Sequence, residues 1–350
     1  MKRYGLFIAD FAPPTVNHLN VAREFIEKNR LDKLYVIPTR GHAEAEINSF
    51  SAVERLDMCA VAFSYISCAF VSDELAGKNE LMAIGSIIDR LSLECGELYL
   101  LVDDGIFSEI EGCFYKVKAC SAFKSDRSSA IPASVEAYLR ERADYLKNRE
   151  KIIGYLTEAL GEKRYRHTLG VEQTALKLAR AVCPESLTDI GYASLLHDSI
   201  KELSHSEQAE LARRSPFVLP ESGIATVNAL HALGAPAFVK EHFSFASTDT
   251  VLSAIYKHTL GDTDMSVEDM VIFVADFIEP NRTYPDCISL RNRLFEAVER
   301  ACCREEAINA LALSAIDSIA STEASLVTRG IAIDKQTILT KKYLCDKYLH

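Results

Sequence analysis

Two periodicities divide this chain. Up to about residue 103, short apolar runs alternate with segments whose apolar positions recur every three or four residues. The runs Tyr4–Ala9, Leu34–Pro38, Ile66–Val71 and Leu98–Val102 predict buried strands, and Asn17–Asn29, Ala52–Phe63 and Glu80–Leu93 predict the helices between them. Strand and helix alternating at this spacing argue for an α/β, Rossmann-like unit with a parallel sheet and helices on both faces. Such sheets take ligands beyond the carboxyl ends of their strands. The polar stretch SDRSSAIPAS (125–134) breaks the pattern, and a continuous helical pattern follows over 135–160. Beyond it every apolar stripe is helical, which predicts an all-α second domain. The expected domains are 1–145 and 146–350, with the boundary inside the long helix. There is no internal repeat and no low-complexity tract.

Bulk properties narrow the class. At 350 residues the chain is long enough for two or three domains. Hydrophobic residues at 48% and charged residues at 25% are ordinary for a globular protein and exclude a disordered one. A net charge of −11 argues against non-specific nucleic-acid binding, which needs basic surface. A small anionic substrate stays compatible, because bound metal inverts the local field. The ten cysteines form no C-x-x-C pair, which fits a reducing cytoplasm rather than a disulfide framework. The opening MKRYGLFIADFAPP reads as a strand and turn, because Asp10 and two prolines interrupt it. No apolar run approaches ~20 residues, so no membrane span is expected.

The candidate chemistry lies in the second half. His167, the pair His197-Asp198, His231, His258 and Asp276 each stand in, or at the end of, an apolar helical pattern. His167 shares a face with Val171, Ala175, Leu178 and Val182. His197-Asp198 ends YASLLHD, His258 ends AIYKH and Asp276 ends VIFVAD. One buried histidine is more often a satisfied core residue than a ligand. Four imidazoles and two carboxylates together have few uses except to hold divalent metal. If Asp198 bridges, His167, His197, Asp198 and Asp276 serve one ion, and Asp198, His231 and His258 serve another. Lys201 lies one turn beyond the doublet, where an ammonium can meet a phosphate on the metals. His42, His205, His242 and His350 fit no such pattern.

The words around these residues are RYRHTLGV (164–171), LLHDSIKEL (195–203), LHALGA (230–235), AIYKHTLGDTDMS (254–266) and VADFIEPNR (274–282). Their order, H…HD…H…H…D, resembles the HD phosphohydrolase superfamily. Within it they resemble the YqeK-like symmetrical dinucleoside tetraphosphate hydrolases, over about Asn148 to Leu344. The stretch after His231 departs, reading Ala-Leu-Gly-Ala where the family has Gly-Pro-Val-Gly-Ala. The resemblance implies an HD-domain helical bundle that splits diadenosine tetraphosphate into two ADP by attack of a metal-bound hydroxide, with no side-chain nucleophile. Asp198 and Lys201 would be catalytic. Lys201, Thr259, Gly261, Glu279 and Arg282 would bind substrate. It implies two divalent metals, iron by family; imidazole and carboxylate ligands alone also allow manganese, cobalt or zinc.

The first third carries a second resemblance. FIADFAPPTVNHLNVA (7–22), VIPT (36–39), ERLDM (54–58), LLVDD (100–104) and IPASVEAYL (131–139) are similar to the nucleotidyltransferase fold of nicotinate-nucleotide adenylyltransferases. Thr15, His18 and Asp104 would contact nucleotide, the first two at a helix N-terminus whose unpaired N–H groups favour phosphate. Ile8 and Ala9 replace the glycines that follow the first strand, Asn17 replaces the motif glycine, and SAFKSDR (121–127) stands where a Ser-Ser-Thr-x-x-Arg word belongs. These departures predict a domain that keeps the fold and is vestigial or regulatory. One rival is a bifunctional enzyme that also joins an adenylyl group from ATP to nicotinate mononucleotide. The other is a nucleotide sensor regulating the second domain. The expected partners are small nucleotides, with no nucleic acid and no membrane; a homodimer is the assembly to test.

Overall fold

The computed structural model describes residues 2–39, 50–74, 80–104, 116–126, 128–222 and 227–349. His42, Arg127 and His350 lie outside them. The chain forms two compact units, Met1–Glu141 with Cys302–Arg304, and Arg142–Ala301 with Glu305–His350.

The first unit is built on strands β1 (Arg3–Ala9), β2 (Lys33–Pro38), β3 (Ala69–Val71), β4 (Glu97–Asp103) and β5 (Ala119–Phe123). They pair in parallel in the order β3-β2-β1-β4-β5. Helices α1 (Val16–Asn29), α2 (Ala52–Phe63) and α3 (Glu80–Glu94) connect them. Alternate residues of β1 face opposite sides of the sheet. Tyr4, Leu6 and Ile8 join a core with Ile84, Ile88 and Leu91 of α3. Phe7 turns the other way, edge-on to Phe63 of α2 and to Phe123. Both faces are therefore covered, as the near-continuous apolar runs require. The strand order reverses between β1 and β4, which opens a crevice beside the first turn. The chain departs from expectation at two strands. Ile66–Cys68 form a turn, with the Ile66 and Ala69 amides bonded to Phe63 and Ile66 carbonyls at 2.9 Å, so β3 starts at Ala69. β5 was not anticipated, because an edge strand reading Ala-Cys-Ser-Ala-Phe carries almost no apolar signal.

The second unit is helical, with no strand among the described residues. It comprises most of α4 (Ala133–Ala159), then α5 (Glu162–Val182), α6 (Leu187–Leu196), α7 (His205–Arg213), α8 (Leu230–His242), α9 (Asp249–Lys257), α10 (Val267–Ile278), α11 (Pro285–Arg300), α12 (Arg304–Thr328) and α13 (Lys335–Tyr348). Starts are marked chemically. Ser204 with Glu207 and Ser266 with Asp269 form capping boxes, and Pro285 opens α11. α6 and α10 are apolar on nearly every side because both run through the core, Met270–Ala275 being buried without a break. Tyr145 and Arg149 of α4 clamp Glu172 of α5, the guanidinium making two bonds of 2.6 Å. α12 is, against expectation, long and apolar enough to cross a membrane by length and composition. Alanine, leucine and isoleucine carry that reading. Its Asp317 and Glu323 pair with Arg293 and Lys341, and Leu311, Ala312, Ala315 and Ile319 are buried in the unit.

Candidate metal centre

Three of the six expected ligands stand at helix C-termini. His197 directly follows α6, His258 directly follows α9, and Asp276 lies two residues before the end of α10. The negative ends of three helices thus converge where a cation would sit. His167 enters from the second turn of α5 and His231 from the first turn of α8. The set is buried, His197 entirely so and Asp276 least.

Asp198 is the hub. Its Oδ2 faces His197 Nε2 at 3.7 Å and His167 Nε2 at 4.0 Å, while its Oδ1 faces His231 Nε2 at 3.2 Å and His258 Nε2 at 3.7 Å. One carboxylate therefore presents one oxygen to each pair of imidazoles. Donor atoms within 4.8 Å of one another form two groups, His167–His197–Asp276 and His197–Asp198–His258. His231 lies beside the second group, its Nε2 3.2 Å from that of His258.

Backbone carbonyls fix the ring orientations. His197 Nδ1 lies 2.7 Å from Ser194 O and His258 Nδ1 lies 2.6 Å from Ile255 O. Each Nδ1 must then carry the proton, which leaves Nε2 with a lone pair aimed inward. His197 Nε2 is buried and has no hydrogen-bond partner among the described residues. A buried lone pair without a donor is costly unless a cation meets it. Burial pushes the His197 imidazole down to about 3 and the His231 imidazole down to about 4. Burial also works against ionised Asp198 and Asp276, but His197, His231 and His258 hold the first, and Arg282 and His167 the second, well below the usual carboxylate range. Neutral imidazoles with ionised carboxylates are the ligand forms. His167 differs. Burial opposes its charge, yet its bonds to Asp276 (3.0 Å) and Glu279 (3.1 Å) outweigh that and push it up to about 9. The donor set fits a divalent ion, which would have to displace the proton that His167 holds.

A ring of cations surrounds these carboxylates. Arg164 donates to Asp198 Oδ2 at 2.7 Å, and Arg282 donates to Asp276 Oδ1 at 2.7 Å. Lys201 Nζ lies 2.8 Å from His231 Nε2 and 3.9 Å from Asp198 Oδ1, and its burial lowers its pKa. It gets there from a run of turns, not from the helix expected after His197. Arg164 was missed by sequence reasoning, although it lies three residues before His167 and so on the same helical face. Thr259 Oγ1 lies 3.2 Å from His231 Nε2. Two expected substrate contacts have other duties. Glu279 is buried and held by His167 and by the Asn281 amide at 2.6 Å. Gly261 packs on Thr340 of α13 and holds φ +70°, a left-handed turn that suits glycine. An open cavity of about 740 Å³ reaches the site, with His167, Glu279, Arg164 and Arg282 among its lining.

In the first unit Thr15 and His18 meet each other. His18 Nδ1 accepts from the Thr15 amide at 3.0 Å and lies 2.8 Å from its Oγ1, while Nε2 lies 3.3 Å from Ser125 Oγ. Both residues are buried, His18 against Phe7, Phe11 and Phe123, and burial lowers its pKa. At the start of α1 the Val16 amide donates to Ala130 O (2.8 Å) and the Asn17 amide to Ser129 Oγ (3.1 Å). Ile8 is turned into the core rather than toward the crevice. Asp104, after β4, is exposed.

Comparison with known proteins agrees with this geometry. The HD domain family matches residues 164–281. The chain is 34% identical over 148 residues to "Bis(5'-nucleosyl)-tetraphosphatase, symmetrical" of Halalkalibacterium halodurans, covering 42% of this chain and 76% of that protein. It is 28% identical over 197 residues to the protein of the same name from Bacillus subtilis, covering 56% and 97%. It is 30% identical over 321 residues to a "Probable nicotinate-nucleotide adenylyltransferase/Ap4A hydrolase" of Mycoplasma pneumoniae, covering 80% and 90%. Fold, ligand set and matched segment define an HD-domain hydrolase, an enzyme of a metal-dependent class. Within that class the chain belongs to the family of the symmetrical bis(5'-nucleosyl)-tetraphosphatases, with a nucleotidyltransferase-like unit ahead of the HD domain.

Proposed function

We propose that the second unit, taken as the domain 146–350, hydrolyses diadenosine tetraphosphate symmetrically to two ADP. The observation that carries this reading is the division of Asp198 between two imidazole pairs, ringed by Arg164, Lys201 and Arg282. In this proposal His167, His197, Asp198 and Asp276 hold one divalent ion, and Asp198, His231 and His258 hold the second. Iron is the metal favoured by family, with manganese, cobalt or zinc compatible with the same ligands. When bound, such ions supply Lewis acidity and lower the pKa of a coordinated water.

The chain's own residues bind and orient. Arg164 and Arg282 offer planar forks that suit two-point contact with phosphate oxygens. Lys201 neutralises charge that develops on the transferred phosphoryl group, and Thr259 bonds beside it. Glu279 holds His167 by Nδ1 and so keeps Nε2 turned to the metals. The ten cysteines are scattered with no C-x-x-C pair, which supports a reducing, cytoplasmic setting.

For the first unit, taken as 1–145, we infer a nucleotide-binding or vestigial role. Its α1 amides and both motif side chains are already bonded within the chain, so phosphate would have to displace those contacts. The rival is a bifunctional enzyme, favoured by the double name of the Mycoplasma relative. The experiment is product analysis with purified, metal-loaded protein. ADP as the sole product of diadenosine tetraphosphate supports the main reading, and AMP with ATP, or no cleavage, refutes it. Pyrophosphate released from ATP and nicotinate mononucleotide would establish the rival.

A further inference from the structure

The turn after α10 presents chemistry in a definite order. Glu279 bonds His167, Arg282 bonds Asp276, and Tyr284 follows two residues later. The turn is rigid. Arg291 of α11 reaches back to three of its carbonyls, giving bonds of 2.5 Å to Ile278 O, 2.5 Å to Glu279 O and 2.9 Å to Arg282 O. Tyr284 precedes Pro285, which holds it in the extended conformation, at φ −67° and ψ 139°. Among the described residues its side chain makes no capping bond and no ring contact, and 67% of the residue is exposed. A tyrosine ring this open offers its face to whatever enters the cavity beside it. Tyr65 is also exposed, at 79%, but is not part of this lining. Tyr284 lines the 740 Å³ cavity whose deep end holds His167, Glu279 and Arg282. That volume suits a nucleotide-sized ligand.

We propose that Tyr284 is a stacking platform for a nucleobase of the substrate, a subsite that rests on the nucleotide-hydrolase reading above. A phosphate on Arg282 would leave the ribose passing Thr283 and the base over the Tyr284 ring. Every base has a π-face, so this contact selects nucleotides over bare polyphosphates without choosing among bases. A tyrosine displayed from a fixed backbone loses little freedom on binding.

The test is calorimetric titration of ADP, and separately of inorganic pyrophosphate, into full-length manganese-loaded protein. The variants are Tyr284→Ala and Tyr284→Phe, with diadenosine tetraphosphate cleavage assayed alongside. Loss of one stacking contact predicts ADP binding about 5- to 150-fold weaker in Tyr284→Ala. Pyrophosphate affinity should stay unchanged, and Tyr284→Phe should restore ADP binding. ADP binding unaffected in Tyr284→Ala, pyrophosphate weakened in parallel, or no ADP binding by the wild type would each overturn the platform. Ring-dependent ADP binding without symmetrical cleavage would keep the platform and sink the hydrolase reading instead. Cleavage with a wild-type KM in Tyr284→Ala would do the reverse.

Discussion

At the scale of single residues, Asp198 and Lys201 carry different kinds of dependence. Asp198 presents its two oxygens to separate imidazole pairs, so Asp198→Ala removes a ligand from both at once. Metal bound per chain and hydrolysis should both collapse; near-normal metal content in the variant would disprove the bridge. Among the described residues Lys201 has no carboxylate within normal hydrogen-bond distance, its contact with Asp198 being 3.9 Å. Lys201→Ala should therefore retain metal and slow turnover by roughly 10²–10³, the usual cost of one lost transition-state donor. An unchanged rate would make Lys201 a structural contact to His231. The convergence of the six candidate ligands was legible in the sequence because each sits where an apolar helical stripe meets a polar residue. It did not make Arg164 legible, because an arginine on a helix reads as solvated until the carboxylate it faces is located.

At the scale of elements, the site depends on close approach between helices. Gly170 of α5 lies where any Cβ would collide with the Glu279 carboxylate. Gly170→Ala should displace Glu279 from His167 and leave that ring without its Nδ1 partner. Loss of such a partner commonly weakens metal binding 10- to 100-fold. Metal titration of Gly170→Ala beside Glu279→Gln checks this, and wild-type affinity in both would refute it. Nearby, Lys257 at the end of α9 is buried on Asp269 of α10 at 3.0 Å, with Asp264 at 2.7 Å as a more exposed partner. Asp269→Ala strands much of that charge and should cost roughly 3–5 kcal/mol, as broken buried pairs do. An unshifted denaturant midpoint would show that Asp264 suffices. The helices of this unit were readable because their stripes and caps agree. β5 was not, since pairing with β4 is a backbone property that Ala-Cys-Ser-Ala does not advertise.

At the scale of the whole molecule, the two units make opposite use of the same kind of resource. In the first, the α1 amides and His18 are bonded to the chain itself. Full-length protein and its His18→Ala variant should therefore both fail to form pyrophosphate from ATP and nicotinate mononucleotide, while hydrolysis is equal in the two. Activity present in the wild type and lost in the variant would reverse that reading. This occupancy was not visible in the sequence, where Asn17 signalled a changed motif but nothing pointed to Ser129 and Ala130. In the second unit the binding groups are held in reserve. Arg164 and Arg282 grip the carboxylates that divalent ions would claim. An ion arriving at either oxygen competes with a guanidinium, and a guanidinium let go becomes a fork for phosphate. Ion and nucleotide occupancy must then raise one another by the same factor, by thermodynamic reciprocity. On that reading the supply of divalent metal would set how tightly a nucleotide is held, and scarcity of metal would loosen both together.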